Sequence, residues 1–268
     1  GLMKLKKFLC VAAAAVMALS LVACGNSDSG TSASSAPGGA ASNKTYVIYS
    51  DNAFPPYEFL DQSTNTYVGI DMDILAAVAK DQGFQYEVKN EGFDASMGAV
   101  QAGQADAMIA GMTITDARRE TFDFSEPYFE DGQILVVKKD SDAKDLSDLK
   151  GKQIAVKTST QGAAYAESKK DEYDLKLVYY EDSPTMYTAL KNGTDDACFE
   201  DRMVIQYTID SENLDLKTVG EVLNPGDYGF AVKKGTNPEL IEMFNKGLAN
   251  IKANGEYDKI LEKYGYQS

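Results

Sequence analysis

Strand-like and helix-like segments alternate along this chain from residue 46 onward. The strand-like run YVIY (46–49) is followed by DMDILAAVAKDQ (71–82), in which Ile74, Ala77 and Val78 recur at helical spacing. Two further strand-like runs, FQYEV and ADAMIAGMTI, flank a shorter helix-like segment, DASMGAVQA. Alternation of this kind is typical of strands joined by helical crossovers. It therefore predicts an α/β fold with largely parallel sheets.

A faint internal repeat indicates that the fold has two similar halves. AVQAGQADAM and ALKNGTDDAC align at a constant offset of 90 residues, which places Gly103 opposite Gly193 and Asp106 opposite Asp196. In each copy a helix-like segment ends at the glycine, a turn follows, and a strand-like run begins. Chance similarity between such short segments remains the alternative.

The order of the segments predicts that the first half is discontinuous. QILVVKKDSDAKDLSDLKGKQIAV opens a new unit, and LNPGDYGFAVKKG returns to the first one. Two C-terminal helices follow; Pro238 lies at the start of the first, and Gly255 separates the two. We therefore predict one lobe at residues 44–130 plus 228–268 and a second lobe at residues 131–227.

The N-terminal segment has the composition of an export signal followed by a linker. Lysines precede a short apolar run and small residues follow it, which predicts a signal peptide over residues 1–23. The run LVACG resembles a bacterial lipoprotein box, which implies cleavage before Cys24 and a lipid on its sulfur. An ordinary signal peptide with a chance cysteine is the alternative. Residues 24–43 are rich in glycine and serine, which predicts a flexible linker to the outer face of the cell membrane.

Composition excludes several classes of function. Asp and Glu total 41 against 26 Lys and Arg, so the chain lacks the excess of basic residues that nucleic-acid binding requires. It contains no histidine, which excludes Ser-His-Asp and Cys-His nucleophilic systems and the commonest zinc ligand. We expect no nucleic-acid partner, no metal and no cofactor. Cys198 stands alone in its segment and is interpreted as a small buried apolar residue, with a reactive thiol as the alternative.

Residues with binding chemistry lie directly after the strand-like runs. In open α/β sheets, ligands bind beyond the carboxyl ends of the strands. The candidates at such positions are Asp51 and Phe54, Gly111 and Thr113, Lys157 with the KTSTQG stretch that it begins, and Glu200 with Asp201. The sequence therefore predicts a small-ligand site at the strand ends.

Five stretches, in order, give the chain a specific resemblance. DNAFPPYEF, VGIDMDI, AGMTITDARRETFDFSEPY, LKGKQIAVKTSTQG and DDACFED resemble the motifs of bacterial extracellular solute-binding proteins, family 3, which serve ABC importers of polar amino acids. The resemblance covers residues 44–268. It implies a periplasmic-binding-protein type II fold, in which two hinged lobes close on a ligand in the cleft between them. It also implies a monomeric binding protein rather than an enzyme.

The resemblance assigns the carboxylate of the ligand to Arg118. Its guanidinium would grip the α-carboxylate in a bidentate geometry that lysine cannot match. The backbone N–H groups of Thr113 and Gln161 would assist, the latter near a helix start, and Thr160 in the same loop is assigned to the site as well. From the residues alone, Arg118 could equally lie on a helix surface, the interpretation that we keep for Arg119.

The resemblance also assigns the ammonium partner and the walls of the site. Asp201 would pair with the α-ammonium, helped by the Gly111 carbonyl and the Thr113 hydroxyl, because a buried charge must be paired. Phe54 and Phe93 match two aromatic walls that enclose the side chain of the ligand. Taken singly, each phenylalanine would be interpreted as a core residue.

Three residues bear on which amino acid is bound. Asp51 and Lys157 match positions that face the head of the ligand side chain, and together they suit an amide, which has a donor end and an acceptor end. Lys157 would repel arginine or lysine. Glutamine, passed on to a membrane permease, is therefore the first prediction. Glu200 and Ser159 depart from the family pattern, and an inward Glu200 would make the site more negative and favour a cationic or a different polar ligand. The alternatives to glutamine are arginine, lysine, histidine and glutamate.

Two functions outside transport remain as alternatives. A sensory or adhesive lipoprotein would bind the same ligand without serving a permease. A few dehydratases share the implied fold. An enzyme of that kind would need a positioned general acid, for which Glu200 is the candidate.

Overall fold

The computed structural model describes residues 43–266. The predicted signal peptide, Cys24 and the predicted linker up to residue 42 lie outside these residues. Within the described part, no helix is both long enough and apolar enough to cross a membrane.

The elements of the chain fall into three consecutive groups. The first group contains β1 (Thr45–Ser50), β2 (Ala53–Phe54), β3 (Glu58–Asp61), β4 (Thr66–Val68), α1 (Ile70–Gln82), β5 (Gln85–Asn90), α2 (Phe93–Gln101), β6 (Ala107–Met108), α3 (Asp116–Arg119) and β7 (Phe122–Phe124). The second contains β8 (Phe129–Lys138), a 3₁₀ turn (Leu146–Leu149), β9 (Gln153–Lys157), α4 (Gln161–Lys169), β10 (Lys176–Tyr180), α5 (Ser183–Lys191), β11 (Ala197–Asp201), α6 (Arg202–Glu212) and β12 (Leu216–Tyr228). The third contains β13 (Ala231–Lys233), α7 (Pro238–Ala253) and α8 (Glu256–Lys263).

These elements form two five-stranded sheets and a small antiparallel one. The first sheet has the strand order β5-β1-β6-β13-β7, the second has the order β10-β9-β11-β8-β12, and β2, β3 and β4 form the small sheet. The chain leaves the first sheet after β7 and returns to it at β13. The mixed α/β class is therefore confirmed. The described residues cluster into one compact unit, so the division into lobes at residues 130/131 and 227/228 stays a prediction.

The sheets are less parallel than the sequence suggests. β1 pairs in parallel with β5 and β6, and β9 pairs in parallel with β10 and β11. By contrast, β13 is antiparallel to both of its neighbours, and so is β8. The reason is the connectivity. These strands enter their sheets directly from the crossings rather than through a helical crossover, so no right-handed β-α-β unit fixes their direction.

The internal repeat is a repeat of structure as well as of sequence. Gly103 and Gly193 both end a helix with positive φ, 75° and 79°. The Asp106 carboxylate then accepts the Val47 N–H at 2.8 Å, and the Asp196 carboxylate accepts the Gln153 N–H at 3.0 Å. In both halves this aspartate ties the helix-to-strand turn to the start of the neighbouring parallel strand.

Helix periodicity in the sequence identifies the faces that pack. Ile74 and Val78 of α1 are fully buried, as their spacing predicts, and they share a core cluster with Phe244 of α7. The Phe244 ring stacks on Phe230, with ring centroids 4.5 Å apart. Gly255, with φ 84°, caps the start of α8 and separates it from α7 as predicted. The C-terminal helices therefore complete the core beside the first sheet.

Candidate binding site

The residues predicted to bind a ligand line one cavity, to which both large sheets contribute. The lining residues are Asp51, Phe54, Phe93, Gly111, Thr113, Arg118, Lys157, Thr160, Gln161, Gly162, Phe199, Glu200 and Asp201. All the predicted binding residues are among them; Gly162 and Phe199 are additional. The structure thus brings the candidates together, while the role of each towards a ligand stays a prediction.

Strand ends place four of the charged residues of the cavity. Asp51 directly follows β1, Lys157 is the last residue of β9, and Glu200 and Asp201 are the last two residues of β11. The run ADAMIAGMTI is less regular than predicted: β6 spans two residues, and irregular backbone follows. Gly111 turns the chain there with φ 53°, and a Cβ at this position would lie 2.7 Å from the Phe54 ring. The turn therefore requires glycine.

Arg118 lies at the end of the short helix α3 and is buried. Its Nη1 donates to the Thr113 carbonyl oxygen at 2.7 Å, and its Nη2 donates to the Ser159 carbonyl oxygen at 2.8 Å. The guanidinium carbon lies 5.3 Å from the centroid of the Phe93 ring. Burial lowers the pKa of Arg118 to about 10, so the side chain remains cationic at neutral pH. Neighbouring Arg119 is exposed, as predicted.

Asp201 is held by two side chains that the sequence analysis did not identify. Gln133 Nε2 donates to its Oδ1 at 3.2 Å, and the Tyr228 hydroxyl donates to its Oδ2. Burial, and then the Asp131 carboxylate, raise the pKa of Asp201, while the hydrogen bonds from Tyr228 and Gln133 oppose the rise. The cavity thus contains a buried acid as well as a buried guanidinium.

Asp51 and Lys157 form an ion pair between the two halves of the chain. Their side chains are 1% and 3% exposed. Lys157 Nζ also lies 3.4 Å from Ser183 Oγ and 4.6 Å from the centroid of the Phe54 ring. Burial lowers the pKa of Lys157, but the carboxylates of Asp51 and Glu200 outweigh this effect and raise it. Lys157 is therefore an ammonium that already has an acidic partner.

Glu200 is buried and lines the cavity, which places it inward. Its Oε2 accepts from the Tyr187 hydroxyl at 2.6 Å, and its Oε1 accepts from the Asp201 N–H at 3.0 Å. Burial raises the pKa of Glu200 to about 7, against the opposing charge of Lys157. The cavity therefore contains a carboxyl group whose charge varies near neutral pH.

Thr160 and Ser159 make further contacts in the loop between β9 and α4. The Thr160 hydroxyl donates to the Lys157 carbonyl oxygen at 2.6 Å and accepts from the Ala163 N–H at 3.2 Å, so it caps α4. Ser159 has a left-handed backbone with φ 66°. Its hydroxyl donates to the Asp94 carboxylate in the other half of the chain. Ser159, which departs from the family pattern, thus forms a direct contact with the other half of the chain.

Sequence reasoning missed the side chains that support the binding residues. Tyr187 lies on α5, Gln133 lies within β8, and Tyr228 ends β12. Gln133 and Tyr228 had a partial signal in the sequence, since each lies in a segment identified as a crossing between the predicted lobes. Nothing in the local pattern around Tyr187 distinguishes it from a core tyrosine.

The chain matches the family model described as bacterial extracellular solute-binding proteins, family 3, over residues 46–267. A protein of Neisseria gonorrhoeae named probable histidine-binding protein is 34% identical over 266 residues, which cover 98% of this chain and 96% of that protein. The second substrate-binding domain of a putative amino acid ABC transporter from Streptococcus pneumoniae is 50% identical and covers 82% of this chain and 99% of its own, with a TM-score of 0.57. An ancestral arginine-binding protein, solved with glutamine bound, is 39% identical and covers 82% of this chain and 97% of its own, with a TM-score of 0.76.

Proposed function

We propose a transport function from the premise that the chain belongs to the bacterial extracellular solute-binding proteins, family 3. In this proposal it captures free L-glutamine outside the cell and delivers it to the permease of an ABC importer. Proteins of this family bind solutes without transforming them, so the chain is a binding protein and not an enzyme. The dehydratase alternative is therefore set aside.

One observation carries the amino-acid part of the proposal: a buried guanidinium and a buried carboxylate line the same cavity. Arg118 would bind the α-carboxylate with the N–H groups that its two carbonyl partners leave free. Asp201 would bind the α-ammonium. A zwitterion supplies an opposite charge to each of them, and buried charges are tolerated when they are paired.

The head-group end of the cavity supports glutamine as the ligand. The Lys157 ammonium would donate to the amide oxygen, and Asp51 would accept from the amide nitrogen. Phe54 and Phe93, both buried, would enclose the methylene groups of the ligand. A cationic side chain in the same place would lie against the ammonium of Lys157, which disfavours it.

A second candidate ligand is a cationic amino acid, and the inward position of Glu200 favours it. An ionised Glu200 adds a second carboxylate beside Asp51, against the single ammonium of Lys157. Since the pKa of Glu200 is raised to about 7, this extra charge is present above neutral pH. Discrimination between glutamine and arginine should therefore shift towards arginine as the pH rises from 6 to 8.

Delivery would follow from closure and tethering. We infer that a lipid on Cys24 anchors the protein at the outer face of the cell membrane, and that the chain works as a monomer with a hinge at its two crossings. Contacts across the cavity, such as Asp51 with Lys157 and Asp94 with Ser159, would favour the closed form that docks on a permease. A sensory or adhesive lipoprotein remains the rival; uptake unchanged in a strain without the permease would support it.

The decisive experiment is a thermal-shift screen of the purified protein against the twenty amino acids. Ligand at about 100 times its Kd adds about 2.7 kcal/mol of stability. A shift with glutamine that exceeds the shifts with arginine and lysine supports the proposal. A shift with arginine or lysine alone would overturn the use of Lys157, and no shift with any amino acid would overturn the proposed function.

Arg118→Lys and Arg119→Lys make a matched pair for the carboxylate contact. Both variants keep the charge, but only the first changes a guanidinium that lines the cavity. We expect Arg118→Lys to weaken every ligand and Arg119→Lys to leave affinity unchanged in calorimetric titrations. Equal losses would contradict the assignment.

A further inference from the structure

A pair of acidic side chains lies buried behind the binding cavity. Glu58 begins β3 and Asp71 is the second residue of α1, and both are fully buried. Among residues 43–266, no donor in its ordinary protonation state reaches Glu58 Oε1, Glu58 Oε2 or Asp71 Oδ1. The two carboxyl groups nevertheless lie within hydrogen-bonding reach of each other. Three buried carboxyl oxygens without a donor would be strongly unfavourable if both groups were ionised.

The backbone fixes this juxtaposition. The Ile70 N–H donates to the Pro56 carbonyl oxygen at 2.8 Å, and the Asp71 N–H donates to the Tyr57 carbonyl oxygen at 2.9 Å. These bonds tie the start of α1 to the chain immediately before Glu58. The two acids therefore cannot separate without breaking the start of the helix.

Asp71 is also bonded to the backbone of the binding site. Its Oδ2 accepts from the Gly111 N–H at 2.7 Å and from the Tyr128 hydroxyl at 3.0 Å. Gly111 lines the cavity and turns the chain there with positive φ. Asp71 thus already accepts two hydrogen bonds, which favours its ionised form and makes Glu58 the candidate for the protonated member of the pair.

We propose that Glu58 is a neutral carboxylic acid that donates its proton to Asp71 Oδ1, and that this acid pair positions the Gly111 peptide for ligand binding. Glu58 and Asp71 are positioning residues, since neither of them lines the cavity. The part of this inference that concerns the ligand rests on the proposed function, whereas the protonation of Glu58 does not.

The groups around the pair agree with one buried proton. Burial, then the Asp71 and Asp51 carboxylates, raise the pKa of Glu58 well above its usual range, and Lys157 opposes the rise. The Lys157 ammonium is, however, already bonded to Asp51. Burial raises the pKa of Asp71 to about 6, opposed by the bonds from Glu58, Gly111 and Tyr128.

Two tyrosines also face the pair. Burial, and then Asp131 and Asp201, raise the pKa of Tyr57, which precedes Glu58. Burial, and then Asp258, raise the pKa of Tyr257 on α8, and the Asp71 carboxylate adds to both shifts. A phenol has no positively charged form, so neither tyrosine can offset a negative charge on the pair. A proton on Glu58 itself therefore neutralises this carboxyl group.

The first test is infrared spectroscopy of wild type and Glu58→Gln at pH 8, where other raised carboxyl groups are largely ionised. The difference spectrum should contain the carbonyl stretch of one protonated carboxyl group, lost in the variant. Its absence would overturn the proposal, whether or not any amino acid binds. The test requires only folded protein, and glutamine is close to glutamic acid in shape and keeps a donor.

The second test compares ligand affinity in Glu58→Gln and Glu58→Leu. We expect Glu58→Gln to stay close to wild type from pH 6 to 8. Glu58→Leu, which removes the donor to Asp71, should weaken glutamine binding about tenfold or more, as the loss of one hydrogen bond to a charged group implies. Equal losses in the two variants would refute positioning through this bond. If Glu58→Leu does not fold, a tenfold loss in Glu58→Gln would refute it instead.

Discussion

Removal of the Lys157 ammonium would leave Asp51 as an unpaired charge in the interior. The two side chains are 3% and 1% exposed, so water cannot replace the lost partner. Lys157→Met keeps most of the apolar stem that lies beside Phe54 and deletes the charge. Asp51 then keeps the hydrogen bond from the Asn52 N–H at 2.7 Å. One hydrogen bond does not offset the desolvation of a carboxylate.

The expected loss is large for a single substitution. Breaking a buried ion pair at one partner destabilises a protein by about 3–5 kcal/mol. A domain of this size loses roughly 2–4 °C of Tm per kcal/mol, so Tm should fall by roughly 6–20 °C. Asp51→Asn combined with Lys157→Met removes both charges and should recover most of the loss. The exposed pair of Lys246 and Glu242 supplies the control, where Lys246→Met should cost about 0.5 kcal/mol or less.

Urea unfolding at pH 8 measures these differences directly. The pKa of Lys157 is raised above its ordinary value of 10.5, so the contribution of its charge is fully present below pH 10.5. That contribution is lost only as the pH rises through the raised value. If Lys157→Met is no worse than Lys246→Met, or if the double variant is as unstable as Lys157→Met, the buried-pair reasoning is wrong.

Four further outcomes follow from other parts of the structure. A Cβ on Gly69, with φ 136°, would lie 2.1 Å from the Tyr57 carbonyl oxygen, so Gly69→Ala should lower the unfolding free energy by at least about 2 kcal/mol. In the same urea titrations, Gly98→Ala, at an open position in α2, should gain about 0.5–1 kcal/mol. Cys198 is fully buried and burial raises the pKa of its thiol, so a thiol reagent should modify it only at the rate of unfolding; modification of the folded protein would contradict this. Tyr187→Phe removes a hydrogen-bond donor to Glu200 and should raise the pKa of Glu200 above about 7. A carboxyl group whose pKa is raised in the folded state lowers stability as the pH increases. The unfolding free energy of the variant should therefore fall further below that of wild type at pH 8 than at pH 5.

The sequence predicts the elements of this fold well where periodicity is strong. β1, α1 and β9 lie where their apolar patterns place them, and so do the C-terminal helices. The directions of β8, β12 and β13 could not be predicted in the same way, because local pattern does not record which strand a returning segment will pair with. Long-range pairing decides that point.

The candidate site was likewise predictable only in part: its lining residues could be identified, but most of their contacts could not. The motifs and the strand ends in the sequence identified all the residues that line the cavity except Gly162 and Phe199. They could not reveal that Asp51 and Lys157, 106 positions apart, are bonded to each other. Nor could they show that Tyr187 holds Glu200, or that Glu58 lies against Asp71. Such partners are set by tertiary packing, for which a single sequence has no periodic signal.

The place of β13 in the first sheet has a consequence for the order in which the chain can fold. β13 lies between β6 and β7, so residues 231–233 join strands made more than a hundred residues earlier. A chain that appears from its N-terminus can complete the second sheet as soon as β12 has appeared. The first sheet must wait for β13 and for α7, and until then β6 and β7 have unpaired edges. The first sheet is therefore the last part of the fold to be completed, and its unpaired strand edges are the part that most needs protection from aggregation.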